Sequence, residues 1–207
     1  MHGYASDNFF RGPKVYFAFG AAAIAVASVL RAIAALPQFG GHIDAAALSA
    51  GAIYGGLIFL YERWGWRLLS TIKNLNGTWV GNITTTHNGG TSVPCVMRVC
   101  QTWTRMVIEL ETKQSRSRTT MAALYDHQPG DVGLKYEYVS EPRGLAVQTM
   151  HAHRGVCTLA IRGESKDLLL SGDYYTGRGR ETQGEITLHR ASRASLNFDT
   201  AMKKGKE

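Results

Sequence analysis

The sequence predicts an N-terminal two-helix transmembrane hairpin followed by an all-β domain, a small closed up-and-down antiparallel β-barrel of about eight strands. Three observations predict it. Two long apolar runs, 15–36 and 43–61, stand near the start. After Asn74 alanine thins out, and β-branched and aromatic residues alternate with polar ones. Turn signals such as Asn88-Gly89-Gly90 and Gln128-Pro129-Gly130-Asp131 punctuate that alternation.

Residues 1–14 are polar and aromatic and form a cytoplasmic N-terminal segment. The hairpin is assigned to residues 15–66. A helix over its first apolar run reaches roughly 33 Å, the thickness of a hydrocarbon core. The apolar region of a signal peptide is shorter, about 7–15 residues, and here a second apolar run follows. The connecting turn, 37–42, holds no Lys or Arg, whereas Arg11 and Lys14 precede the first span and Arg63, Arg67 and Lys73 follow the second. The positive-inside rule therefore places both termini in the cytoplasm and the loop outside. Gly51 and Gly55 share a helix face, which either makes a close helix contact or holds small residues of the kind lipid tolerates anywhere. Arg31 near the outer end of the first span either pairs with Asp44 or snorkels.

The β domain, 67–190, divides into eight candidate strands: 77–87, 93–103, 105–112, 115–124, 134–140, 155–162, 168–176 and 182–190. In the third, Met106, Ile108 and Leu110 fall on one side and Val107, Glu109 and Glu111 on the other, the alternation of a half-buried strand. Short strands joined by tight turns favour up-and-down order, and eight of them enclose room for one small ligand. A two-sheet sandwich is the competing architecture. The basic tail, 191–207, ends in Lys203-Lys204-Gly205-Lys206 and is expected to be largely disordered.

The chain has 207 residues and a formal net charge of +7, from 23 Lys+Arg against 16 Asp+Glu. That balance points to an anionic partner, phosphate-bearing or membrane. Cys95, Cys100 and Cys157 form no CxxC and no even framework, so they are expected to be buried, reduced thiols. His151-Ala152-His153 lacks the further ligands that a metal site needs. No nucleophile elbow, HExxH, P-loop or paired acidic motif appears. The expectation is a binding protein, not an enzyme, with no catalytic residue, metal or cofactor.

The candidate ligand residues lie in the β domain. Adjacent tyrosines and two arginines one glycine apart stand in Tyr174-Tyr175-Thr176-Gly177-Arg178-Gly179-Arg180. On an extended chain Tyr174, Thr176, Arg178 and Arg180 share a face. A ring, a hydroxyl and two guanidiniums suit a planar anionic ligand, since Arg pairs with phosphate through two parallel bonds and a ring stacks on a base. The bland alternative is a glycine turn with solvated arginines. Tyr136 and Tyr138 share a face, as do Gln101 and Trp103; Ser115 and Ser117 flank Arg116, and Arg154 follows His153. A cyclic dinucleotide, with two bases and two phosphates, fits this inventory.

With these motifs the chain resembles the two-transmembrane β-barrel effectors of cyclic-oligonucleotide-based antiphage signalling systems (CBASS), of the CD-NTase-associated type. The resemblance rests on Leu75-Asn76-Gly77-Thr78-Trp79-Val80-Gly81, Gln101-Thr102-Trp103, Ser115-Arg116-Ser117, His153-Arg154-Gly155 and, above all, Tyr174 to Arg180. Val156 stands where the family pattern has threonine. The resemblance implies that a cognate CD-NTase cyclase makes a cyclic dinucleotide on infection, that the barrel binds it, and that the effector forms a homo-oligomer. The transmembrane segments then disrupt the bacterial inner membrane and the infected cell dies, an abortive infection. Membrane lipid is thus a partner, and DNA or RNA polymers are not. Gly77-x-Trp79 is also similar to lipocalins, which leaves a membrane-tethered carrier of a lipid or small hydrophobe as the alternative.

Overall fold

The computed structural model describes residues 1–6, 13–36, 49–86, 90–126, 132–148, 151–163, 167–177 and 182–205. The chain divides into a helical unit, 8–73, and a β unit that joins residues 1–7 to 74–207. The β unit therefore takes in the first residues of the chain, and its second part starts at Asn74, where the composition changes.

In the helical unit, α1 spans Pro13–Ala34 and α2 spans Ala50–Leu60, followed by a π-helical turn, Tyr61–Gly65, and a short α3, Trp66–Leu69. Ser49 caps α2, its side chain accepting from the Ala52 amide at 3.1 Å. The helices pack together: Ala23 and Ala27 are buried on α1, and Phe19 meets Tyr61 with ring centroids 5.0 Å apart. Among the described residues one helix, not the expected two, is long and apolar enough to cross a membrane, over Lys14–Ala34. The described part of the second run is the 11-residue α2, too short to span by itself; residues 43–48, with Asp44 and hence the Arg31–Asp44 pair, lie outside the described residues. Gly51 and Gly55 are exposed, and a Cβ built on either meets no atom within 4 Å.

The β unit is a closed barrel of eight antiparallel strands: β3 Gly77–Thr85, β4 Thr91–Gln101, β5 Arg105–Glu111, β6 Ser115–Asp126, β7 Val132–Pro142, β8 His153–Arg162, β9 Leu169–Thr176 and β10 Gln183–Ser192. Each pairs with its sequence neighbour, β10 returns to β3, and β5–β6 pairing completes the ring. Two short strands, β1 His2–Gly3 and β2 Ala5–Ser6, join β5 and β6 respectively. Alternation builds the interior. Trp79, Met97, Ile108, Leu134, Leu159, Leu170 and Leu188 are fully buried. Arg190 lies over the Trp79 ring at 4.6 Å and donates to the Asn74 carbonyl, which closes the end of the barrel where β3 begins.

The tail departs from its expected disorder. Asn197 caps a helix, α4 Phe198–Lys204, by accepting from the Thr200 amide at 2.8 Å. Ala201 is buried against Val80 and Val96 on the outer barrel wall, with Leu196, Phe198 and Met202 beside it. Burial of that apolar stripe offsets the entropy of ordering a polar tail. The cysteines divide: Cys95 and Cys157 are buried, their thiols pushed up to about 12 mainly by burial, while Cys100 is exposed, contrary to expectation.

On the outer wall, Glu109 receives Arg116 and Arg118, and Glu111 receives Arg98 and Arg143. The Glu109 partners are half exposed or more, so those pairs contribute little. Arg98 and Glu111 are both largely shielded, with side chains 14% and 12% exposed at 2.7 Å. Burial acts to raise the Glu111 carboxyl, but hydrogen bonds and charge from Arg98 and Arg143 outweigh it and hold the group below its usual value. A depressed carboxylate contributes stability that is present above the ordinary range, about 4.3, and is lost as pH falls through the folded value. Urea midpoints measured from pH 7 down to pH 3 should therefore fall, and Glu111→Gln should flatten that fall. An equal slope in the variant would remove Glu111 from the account.

Candidate functional site

An up-and-down barrel sends alternate turns to the same end. The turns after β3, β5, β7 and β9 lie at one end, and those after β4, β6 and β8 at the other. A cavity of about 750 Å³, counted with its open mouth, occupies the first end.

Its lining is built by alternation. Ile83, Val93, Leu110 and Ile186 supply apolar surface from β3, β4, β5 and β10. Tyr136 and Tyr138 from β7 and Tyr174 from β9 supply rings. The Tyr136 and Tyr138 centroids are 6.1 Å apart and tilted by 54°, which makes an aromatic wall and not a parallel clamp. Hydroxyls come from Thr85, Thr112, Ser115, Ser117, Ser140, Thr176 and Thr182, with Gln114 and His153 beside them. Burial pushes the Tyr136 phenol well above its ordinary value, with Cys157 adding to the effect, so it stays neutral and able to donate. Ser117 Oγ donates to the Leu110 carbonyl at 3.3 Å, and the Thr112 and Ser115 hydroxyls are 3.0 Å apart. Hydroxyls both donate and accept, which suits phosphate oxygens and sugar hydroxyls together. A carrier of apolar ligands has no use for such a density of hydroxyls.

Gly155 makes room for this wall. It pairs with Tyr138 on one side and Thr176 on the other. A Cβ there would collide with the Tyr138 ring and lie 2.7 Å from the Tyr175 carbonyl oxygen. Gly155→Ala is expected to force the Tyr138 ring outward, with about 1–3 kcal/mol lost in stability. Cyclic-dinucleotide affinity should drop by about tenfold or more if that ring stacks on a base. Unchanged affinity in a folded variant would show that Tyr138 does not touch ligand.

Of the residues singled out in the sequence, the structure brings Ser115, Ser117, Tyr136, Tyr138, Tyr174 and Thr176 to one cavity. Gln101 and Trp103 are buried at the other end, where Gln101 Oε1 accepts from the Leu75 amide at 2.8 Å and Nε2 donates to the Tyr4 hydroxyl at 3.1 Å. Arg154 is exposed, because on β8 the inward positions are His153 and Gly155. Arg178 and Arg180 lie outside the described residues. The base of the segment that carries them is fixed: the Thr176 amide donates to the Thr182 carbonyl at 2.9 Å, and the Thr182 amide donates to the Thr176 hydroxyl at 2.9 Å. Among the described lining residues none is Asp, Glu, Lys or Arg. Sequence reasoning missed Thr85, Thr112, Gln114, Ser140 and Thr182. Their signal was position, since each sits at a turn of the mouth end. No group of three or more His, Cys, Asp or Glu able to hold a metal occurs among the described residues.

Comparison with known proteins matches residues 70–190 to the family model described as "Cap15, cyclic dinucleotide receptor domain". The chain is also 28% identical over 193 residues to "CD-NTase-associated protein 15" of Yersinia aleksiciae, covering 86% of this chain and 91% of that protein.

Proposed function

The chain belongs to the Cap15 cyclic dinucleotide receptor domain family, and from that premise we propose that it is a membrane-anchored CBASS effector switched on by a cyclic dinucleotide from a cognate cyclase. The observation that carries this reading is the cavity, with its tyrosine wall and its hydroxyls at the mouth end. The tyrosines stack on the bases. The hydroxyls bond sugar and phosphate oxygens, and Arg178 and Arg180 supply the positive charge that the described lining lacks. Ligand binding promotes oligomerisation, and the membrane segments of the assembled copies disrupt the inner membrane. The outward face of Gly51 and Gly55, with nothing packed on it, fits a close helix contact between copies. The Lys and Arg distribution supports cytoplasmic termini, where the barrel meets a cytosolic messenger.

The test is dye release from vesicles of bacterial phospholipid holding the full chain. Cyclic di-AMP, cyclic di-GMP and 3′,3′-cyclic GMP-AMP serve as probes. At least one should trigger release, and Gly51→Leu with Gly55→Leu should weaken release while binding stays. Binding without release from the parent protein would refute the membrane output.

A further inference from the structure

β5 and β6 pair at Glu109 with Arg118, Leu110 with Ser117 and Glu111 with Arg116. Beyond Arg118 the two strands part, and residues 1–6 fill the opening. β1 pairs antiparallel with β5 through His2–Met106 and Gly3–Arg105, and β2 pairs parallel with β6 through Ala5–Ala123 and Ser6–Leu124. Tyr4, buried between them, donates from its amide to the Thr104 carbonyl at 3.3 Å and from its hydroxyl to the Thr102 carbonyl at 3.3 Å.

Two features make this more than barrel closure. The first is the branch point. Thr119 stands where the pairing of β5 and β6 has ended. Its hydroxyl accepts from the Ile108 amide at 3.0 Å, in place of a ladder bond, and meets His2 Nε2 at 2.9 Å. Two residues earlier on the same inward face is Ser117, which lines the cavity. A shift of the Ser117 and Leu110 pair is thus one step from the seat of β1. The second feature is connectivity. The chain leaves β2 for α1 and returns at 74, so residues 1–6 and the segment beginning at Asn74 are the two tethers of the helical unit. Gln101 binds both, through the Tyr4 hydroxyl on one side and the Leu75 amide on the other.

We propose that residues 1–6 are a strap in the barrel wall, seated in the β5–β6 opening when the cavity is empty and unseated when ligand repacks Ser117 and Leu110, which frees the first tether of α1. Two strands of two residues each form a unit small enough to open locally without unfolding the barrel. This deepens the receptor reading and rests on it for the identity of the trigger.

The test uses the full chain in lipid nanodiscs and has two arms. Hydrogen exchange without ligand comes first. Amides of residues 2–6 should exchange at least about tenfold faster than those paired between β3 and β4. Thr119→Val removes the acceptor of the Ile108 amide as well as the partner of His2, so it should lower the barrel's thermal midpoint by a few degrees and speed exchange of 2–6 by a larger factor than exchange of the β3–β4 amides. Exchange of 2–6 at the rate of the whole barrel, in parent and variant alike, would overturn the strap. The second arm pins it with Gly3→Cys and Arg105→Cys in a Cys100→Ser background. Gly3 and Arg105 are register partners, and a Cβ on Gly3 meets no atom within 4 Å. Cross-strand neighbours lie within disulfide range. Because the coupling is reciprocal, oxidised protein should bind whichever cyclic dinucleotide activates the parent more weakly than reduced protein does. At saturating ligand it should release dye at least tenfold more slowly, and dithiothreitol should restore both binding and release. Equal release from pinned and reduced protein would also overturn the strap. If the parent binds none of the three probes, it is the receptor reading that fails, and the exchange arm alone upholds or overturns the strap.

Discussion

Trp79→Ala is expected to remove about 3–5 kcal/mol from the stability of the barrel, a large share of the roughly 5–15 kcal/mol typical of a domain. Trp79 is fully buried, its indole nitrogen donates to the Leu75 carbonyl at 3.0 Å, and its face carries the Arg190 guanidinium at 4.6 Å. Truncation leaves a cavity, an acceptor without its donor and a half-buried cation without its ring, and the three losses act in one direction. Trp79→Phe keeps most of the ring and should recover more than half of the loss. The check is urea denaturation of the full chain in detergent, followed by far-ultraviolet circular dichroism. A loss below about 1 kcal/mol for Trp79→Ala would show that the end of the barrel where β3 begins is not closed as described.

The second large effect is on ligand and not on fold. Arg178→Ala or Arg180→Ala, or both, should weaken cyclic-dinucleotide binding by about thirtyfold or more. That is the consequence of about 2–5 kcal/mol for a guanidinium lost from a desolvated phosphate. An arginine in open solvent contributes about 0–1 kcal/mol, and that contribution is screened by salt. Stability should be unchanged in both variants. The Thr176–Thr182 bonds that fix the base of the segment do not involve either side chain. Affinity measured at low and at high salt separates the two cases. Binding within threefold of the parent at both salts would leave phosphate recognition to the hydroxyls.

Much of the barrel was legible because two physical signals coincide in it. Side chains alternate with period 2, as in Met106, Ile108 and Leu110, and glycine or proline turns punctuate the strands. Alternation tells which residues share a face, and it put Tyr136 with Tyr138 and Gln101 with Trp103. It does not tell which end of a strand meets the ligand. Counting turns does: Gln101 ends β4 and Trp103 lies in the turn that follows, whereas the cavity residues cluster at the turns after β3, β5, β7 and β9. Alternation also separates His153 from Arg154, and the structure shows His153 as the inward one. The tail helix carried its own signals in Asn197 as cap, Phe198, Ala201 and Met202 as stripe and Gly205 as stop, but its seven residues are stable only against Val80 and Val96. β1 and β2 left no periodic trace, since two residues establish no period and their partners are far along the chain.

The most direct measurement is calorimetric titration of the full chain in detergent with cyclic di-AMP, cyclic di-GMP and 3′,3′-cyclic GMP-AMP, repeated on Tyr174→Ala. Stacking of a base on an aromatic side chain is worth about 1–3 kcal/mol by alanine substitution. Saturable binding of at least one probe is expected, with a dissociation constant in the micromolar range or tighter, weakened by about five- to 150-fold in Tyr174→Ala with the fold intact. No heat from any probe, or equal affinity in a folded Tyr174→Ala, would contradict the claim that this cavity reads a cyclic dinucleotide.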